Sequence, residues 1–328
     1  MTMIVPYPFK FRPIMKEKIW GGQKIRTELN KDFFPDENCG ETWEISGVPG
    51  NISVVSEGPL TGTKLPDLIE TYKGQLVGNK VYQKEKNDFP LLIKFIDANQ
   101  DLSIQVHPND ELASVRHQSL GKTEMWYIFQ ADPGSQLISG FNQPLDRRKY
   151  REYFEQGRLM EILNQELVNP GDVFFVPAGR VHTIGKGILL AEIQQTSDIT
   201  YRIYDFDRVD KNGQSRELHT KAALDALDYQ HYAEYKKQYD HSSNQAVSLV
   251  NCPYFDVNRL FFEKETTRSY HHLDSFVIYV CVAGKLRIYW DGQHITMVKG
   301  EAVLVPANIK DLRLVPDPSF KILESYIP

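Results

Sequence analysis

Two imidazoles, one carboxylate and one amide stand in this chain at spacings that bring them to a single point on a β scaffold. Gln105 and His107 are two residues apart in "DLSIQVHPND", and on a strand such positions project to the same side. Glu124 opens the β-type run in "GKTEMWYI", and His182 closes "GDVFFVPAGRVH". This donor set suits a borderline divalent cation, with Zn²⁺ the first choice and Fe²⁺, Mn²⁺ or Co²⁺ left open by ligand type. The other candidates, His219, His231, His241, His271 and His272, lie in polar or helical stretches and are read as non-ligands.

Cations flank the same runs. Lys94 interrupts the apolar "LLIKFID", and Lys122 stands two residues before Glu124 on the same strand face. A lysine inside such a run calls for a partner or a task, because a buried ammonium is costly alone. Past His182, Glu192 and Gln194 share a face of "AEIQQ", and Ser197, Asp198, Thr200 and Arg202 form a polar cluster. Arg202 is a permanent cation with a planar fork that suits a phosphate or an enediolate. An ion pair with Asp198, Asp205 or Asp207 is its plainer role.

The elements that must position these residues are mostly short strands. Runs such as "LSIQV", "MWYIFQA", "DVFFVPA", "FVIYVCVAG" and "AVLVPA" are rich in Val, Ile, Phe and Tyr, and turn residues bound most of them. That pattern predicts a mainly β chain of two jelly-roll barrels with a few peripheral helices. Helices are expected at "LPDLIETY", with Pro66 in its first turn, and at "NDELASVRHQ", capped by Asn109. "LDRRKYREYFEQGRLMEILNQ" reads as two helices broken near Gly157. "SRELHTKAALDALDY" reads as an amphipathic helix with Leu218, Ala222, Leu224 and Leu227 on one face.

The frame that ends in His182 occurs twice. Residues 171–182 and "GEAVLVPANIKD", residues 300–311, share a glycine, a mostly apolar strand, a proline and a small pair, but the second copy has Asp311 in place of the histidine. Two copies of one domain are therefore expected. A catalytic unit spans residues 1–240 and a degenerate, metal-free unit spans residues 241–328, with the Tyr-rich "QHYAEYKKQYDHSSNQ" as linker.

Composition narrows the function classes. In 328 residues, 41% hydrophobic and 25% charged side chains describe an ordinary globular chain. A net charge of −5 without a Lys/Arg block argues against nucleic acid as partner. Cys39, Cys252 and Cys281 are sparse and unpaired in spacing, which fits a reducing compartment. No apolar run reaches the ~18 residues of a membrane span, and no signal peptide is evident. The expectation is a cytoplasmic protein without a membrane partner, monomeric or homodimeric.

Six pieces, "KIWGG", "GETWEIS", "PLLIKFIDANQDLSIQVHPND", "GKTEMWYI", "GDVFFVPAGRVHTIGKG" and "LAEIQQTSDITYRIYDFDR", together resemble the type I mannose-6-phosphate isomerases in their short bacterial form, within the cupin superfamily. They run in order from about residue 10 to residue 208. The resemblance implies one zinc ion per chain and interconversion of mannose 6-phosphate and fructose 6-phosphate through a cis-enediolate. It places the family's metal ligands on Gln105, His107, Glu124 and His182, with Gln105 outside the three ligands often described for short forms. It places the active-site arginine on Arg202, and substrate-side positions on Lys94, Ser103, Lys122, Glu44, Glu192 and Asp198. The general base stays open among Glu192, Asp198 and a water on the metal. The chain lacks the long forms' helical insertion, and a general cupin would carry two histidines where Gln105 and His107 stand. Rival readings are another metal-dependent cupin enzyme, for a different sugar or an oxygenation, and a non-catalytic sugar-binding cupin.

Overall fold

The computed structural model describes residues 5–32, 38–210 and 212–328. Antiparallel pairing accounts for every strand in its three sheets. A six-stranded sheet runs in the order Ile14–Gly22, Cys39–Ile45, Leu91–Ala98, Ile188–Gln195, Glu124–Ala131, Val173–Val176. A five-stranded sheet runs Tyr201–Tyr204, Ile104–Val106, His182–Thr183, Gln136–Phe141, Leu163–Leu167. A seven-stranded sheet holds the strands from Gln245–Asn251 onward, with Val277–Trp290 and Asp311–Tyr326 as its long central pair.

The mainly β expectation holds, but the barrels are open. Among the described residues the six- and five-stranded sheets are not joined by strand pairing, and side chains fill the space between them. Period-2 alternation sorts the Leu91–Ala98 strand between two cores. Leu91, Ile93 and Phe95 pack outward into a cluster that includes Ile278, Val280 and Leu304 of the C-terminal part. Ile96 and Ala98 face inward with Trp20, Trp126 and Leu190. Lys94 has the inward parity, so the one cation of that run points between the sheets.

Of the expected helices, Leu65–Tyr72 has Pro66 in its first turn. Asp110–His117 is capped by Asn109, whose side-chain oxygen accepts from the Leu112 N–H at 2.9 Å. The third expectation is corrected. Arg147–Glu155 is a helix and Gly157 reverses the chain at φ 71°, but the second helix is only a single 3₁₀ turn, Leu159–Ile162, leading into the strand Leu163–Leu167. Pairing of that strand with Gln136–Phe141 outweighs its helical propensity. The fourth helix is only Thr220–Ala226, with Ala223 buried and Leu218 exposed outside it. The Tyr-rich segment is no free tether. Tyr235 is buried and donates to the Phe141 carbonyl at 2.7 Å, and Tyr239 donates to the Gly171 carbonyl.

Both copies of the doubled frame form the same local structure. Gly171 and Gly300 have φ of 94° and 87°, a backbone region that costs other residues strain. Strands Val173–Val176 and Ala302–Val305 come next, each ending at its proline.

Candidate metal centre

Strand register assembles the centre. In the five-stranded sheet Gln105 lies directly opposite His182 on one side and Arg202 on the other. In the six-stranded sheet Glu192 lies directly opposite Lys94 and Trp126, and Gln194 opposite Glu124. His107, just past its strand, and His182 meet Glu124 across the space between sheets. His107 Nε2 is 3.5 Å from Glu124 Oε2, and His182 Nε2 is 3.5 Å from Glu124 Oε1. All three residues are buried, and their donor atoms lie within 4.8 Å of one another.

Each imidazole is oriented by the backbone. His107 Nδ1 meets the Ile199 carbonyl at 2.9 Å and His182 Nδ1 meets the Arg180 carbonyl at 2.8 Å. A carbonyl only accepts, so Nδ1 carries the hydrogen and Nε2 presents a lone pair to the cluster. Burial and the nearby Lys122 ammonium hold both rings neutral, His107 well below its usual range and His182 at about 3. Burial, with Glu192 adding repulsion, pushes Glu124 up to about 7 against the pull of Lys122.

These residues fit a cation. Glu124 Oε1 is buried without a hydrogen-bond partner. Lys122 Nζ sits 2.9 Å from His107 Nε2 and also donates to Glu124 Oε2, so one positive charge already rests among the lone pairs. Gln105 touches His182 Nε2 at 3.2 Å through its amide, and rotation of that amide would exchange its nitrogen for its oxygen there.

A cleft of about 300 Å³ is lined by both sheets and reaches Gln105 and Lys122, the two residues that touch the triad from its side. Lys94, Ser103, Gln105, Lys122, Glu192, Asp198 and Arg202 all line it. At its floor Lys94 Nζ donates to Glu192 Oε1 at 3.1 Å, and Trp126 Nε1 donates to Glu192 Oε2 at 2.9 Å. Burial alone would raise Glu192, but Lys122 and Lys94 outweigh it and bring the carboxyl down to about 2. Lys94 is shifted upward, since Glu192 and Glu41 outweigh its desolvation.

Glu44 is not brought to the cleft. It is buried on the opposite face of its strand, where Oε2 accepts from Lys31 at 2.9 Å. Glu41 and Trp43 line the cleft instead, with Trp43 opposite Lys94 and its indole N–H donating to Glu41 at 2.7 Å. Thr200 of the expected polar cluster also lines the cleft, and Lys18, Trp20 and Arg216 are further lining residues whose place the sequence alone does not mark. The register of Cys39–Ile45 against Lys94, a tertiary pairing, is what puts Glu41 on the cleft side. In all, five cations (Lys18, Lys94, Lys122, Arg202, Arg216) face three carboxylates (Glu41, Glu192, Asp198), a balance that favours an anionic ligand. The aspartate ion pair expected as the plainer role of Arg202 is replaced by a bond from its Nη1 to the Glu217 carbonyl at 2.8 Å.

Comparison with known proteins gives one consistent picture. Residues 8–127 match the phosphomannose isomerase type I catalytic domain, and residues 245–325 match the mannose-6-phosphate isomerase cupin domain. Mannose-6-phosphate isomerase ManA of Bacillus subtilis is 35% identical over 317 residues, covering 94% of this chain and 95% of the relative. The mannose-6-phosphate isomerase of Streptococcus mutans is 34% identical, covering 97% and 98%. The crystal structure of mannose 6-phosphate isomerase from Bacillus subtilis superposes with a TM-score of 0.87 at 31% identity, over 98% of this chain and 99% of that one.

Proposed function

The chain belongs to the type I phosphomannose isomerases, and from that premise we propose that it interconverts mannose 6-phosphate and fructose 6-phosphate with one Zn²⁺ ion. His107, Glu124 and His182 would hold the ion, with Gln105 as a fourth donor. The carrying observation is the buried triad itself, with both Nδ1–H groups tied to carbonyls and a Glu124 oxygen left unpartnered behind Lys122 of a cationic cleft. When bound, the ion supplies Lewis acidity at the sugar's C1 and C2 oxygens, worth several kcal/mol of charge stabilisation.

The chain's own residues supply the rest. Lys94 and Lys122, each ion-paired with a buried carboxylate, order the substrate's hydroxyl and carbonyl oxygens. Arg202 stabilises the negative charge of a cis-enediolate as a proton moves between C2 and C1. Glu192 has both oxygens engaged, which suits an anchor for Lys94 rather than a base. Glu41 is engaged by Trp43 and Lys18. Asp198, exposed on the rim without a hydrogen bond or ion pair among the described residues, is the carboxylate free to take the proton, and Ser103 lines the wall beside it.

Residues 1–240 form the catalytic unit in this reading, and residues 241–328 a metal-free cupin unit packed on its outer face. The three cysteines are free, which supports a reducing, cytoplasmic setting. No helix among the described residues is long and apolar enough to cross a membrane. The substrate is a small sugar phosphate, and the enzyme acts as a monomer or homodimer. A coupled assay with mannose 6-phosphate tests the reading: fructose 6-phosphate should form and Asp198→Asn should slow it. Sugar binding without product would instead favour a non-catalytic cupin.

A further inference from the structure

Three arginines gather around the strand Tyr201–Tyr204, and two of them spend their charge on one carboxylate. Asp205, nearly fully buried, receives Arg208 through Nη2, and Arg216 through Nε and Nη2. Arg202 makes no ion pair among the described residues, and its Nε is buried and unpartnered. Its charge is left for what enters the cleft, but a guanidinium without a carboxylate needs another hold.

The need is acute because Tyr201–Tyr204 is an edge strand. Arg202 is paired there on one side only, opposite Gln105, and the register slips between Arg202 and Tyr204. Such an irregularity re-aims a side chain, and an edge leaves backbone N–H and C=O groups open. His219, which has no part in the metal centre, fills both places. Its N–H donates to the Arg202 carbonyl at 2.7 Å, and its Nδ1 accepts from the Arg202 N–H at 3.2 Å. A backbone N–H only donates, so Nδ1 carries the lone pair and the ring hydrogen sits on Nε2, 3.9 Å from a Glu217 carboxylate oxygen. The Glu217 carbonyl adds the third hold, on Arg202 Nη1 at 2.8 Å.

The platform behind His219 is firm. Its carbonyl accepts from the Ala223 N–H at 2.9 Å at the start of the helix Thr220–Ala226, while its side chain makes no capping bond to that helix. Ala223 is buried in one cluster with Tyr201 and Ile203, the residues on either side of Arg202. Tyr201 is fixed at its far end too, its hydroxyl 2.7 Å from His117 Nε2.

We infer that His219 is a positioning residue for Arg202, whose backbone it pairs through Nδ1 so that neutral groups hold the guanidinium beside the reacting atoms. The inference rests on the isomerase reading above. A carboxylate would hold the fork as firmly but spend its charge, as Asp205 does with Arg208 and Arg216. A preorganised charge that is not yet neutralised is what a developing enediolate requires.

The test compares wild type, His219→Ala, His219→Asn and His219→Gln by steady-state kinetics with mannose 6-phosphate and by metal analysis. The backbone bond from residue 219 to the Arg202 carbonyl is available in all three variants. His219→Ala should lower kcat about ten- to hundredfold, the scale of a small misplacement, with KM and bound metal close to wild type. In His219→Asn the amide oxygen stands where Nδ1 stood and can accept from the Arg202 N–H, so most of kcat should return. In His219→Gln the amide lies one bond farther out, toward the Nε2 position, and kcat should stay as low as in His219→Ala. His219→Ala should also add no further loss to Arg202→Ala, since it acts through that residue. If the alanine variant does not fold, the difference between the asparagine and glutamine variants decides. An active enzyme whose kcat is unmoved by His219→Ala, or lowered equally by His219→Asn and His219→Gln, overturns this inference alone. A wild type that does not isomerise mannose 6-phosphate overturns the isomerase reading and this inference with it.

Discussion

The two copies of the Gly-strand-Pro frame share backbone and differ in what their last residue meets. In residues 171–182 the chain carries His182 into the space between two sheets, where it is 1% exposed and touches Glu124 and Gln105. In residues 300–311 the same turn leaves Asp311 on the surface, its side chain 70% exposed beside His271. Each half also buries a carboxylate with a cation, but to different ends. Glu324 in the C-terminal sheet accepts from Arg268 at both oxygens, from Tyr270 and from Asn258, so all its capacity is spent internally. Glu124 keeps a buried oxygen unpartnered, and its neighbours offer lone pairs. The frame is a device for making an edge, and of its two copies only the first carries its last side chain to a buried carboxylate left with an unpartnered oxygen.

Substitutions can break this contrast in a graded series. His182→Ala should abolish bound metal and lower turnover about a thousandfold or more, the scale of several kcal/mol of lost charge stabilisation; metal analysis and the coupled assay check it. Arg202→Ala should lower kcat by about two to three orders of magnitude, as loss of a preorganised charge donor does, while metal content stays at the wild-type level. Equal losses of metal and turnover would make Arg202 structural. Glu324→Gln should act on the other half alone. Leaving Arg268 without its charge partner costs about 3–5 kcal/mol, visible in denaturant unfolding, with kcat at 25 °C unchanged in the folded fraction. Asp311→Ala is the smallest, with turnover and bound metal both at wild-type levels. Loss of metal in that variant would erase the distinction between the copies.

How much of this is legible in the sequence depends on where each signal resides. Gln105, His107, Glu124 and His182 can be grouped because strand parity is local and each stands at the end of a recognisable run. Asn109 can be named as a cap because the capping bond spans only three residues. Glu41 cannot be separated from Glu44, because Cys39–Ile45 is buried along its whole length and no polar–apolar alternation marks the inward face. The register against Lys94 decides it, and register is a tertiary fact. Residues 158–165 read as helix because strand pairing with Gln136–Phe141 has no local mark, apart from Gly157 ending the preceding helix. Arg216 is hidden for the same reason, since it reaches the cleft from the far side of a bridge between Val209 and Ser215.

The central claim is that the buried triad works by holding a metal ion, and one measurement addresses it directly. Protein stripped with a chelator and passed into metal-free buffer should lose mannose 6-phosphate isomerisation and regain it on addition of one equivalent of Zn²⁺ per chain, while His182→Ala treated alike regains nothing. Full activity in wild-type protein shown by elemental analysis to carry no metal would contradict the account.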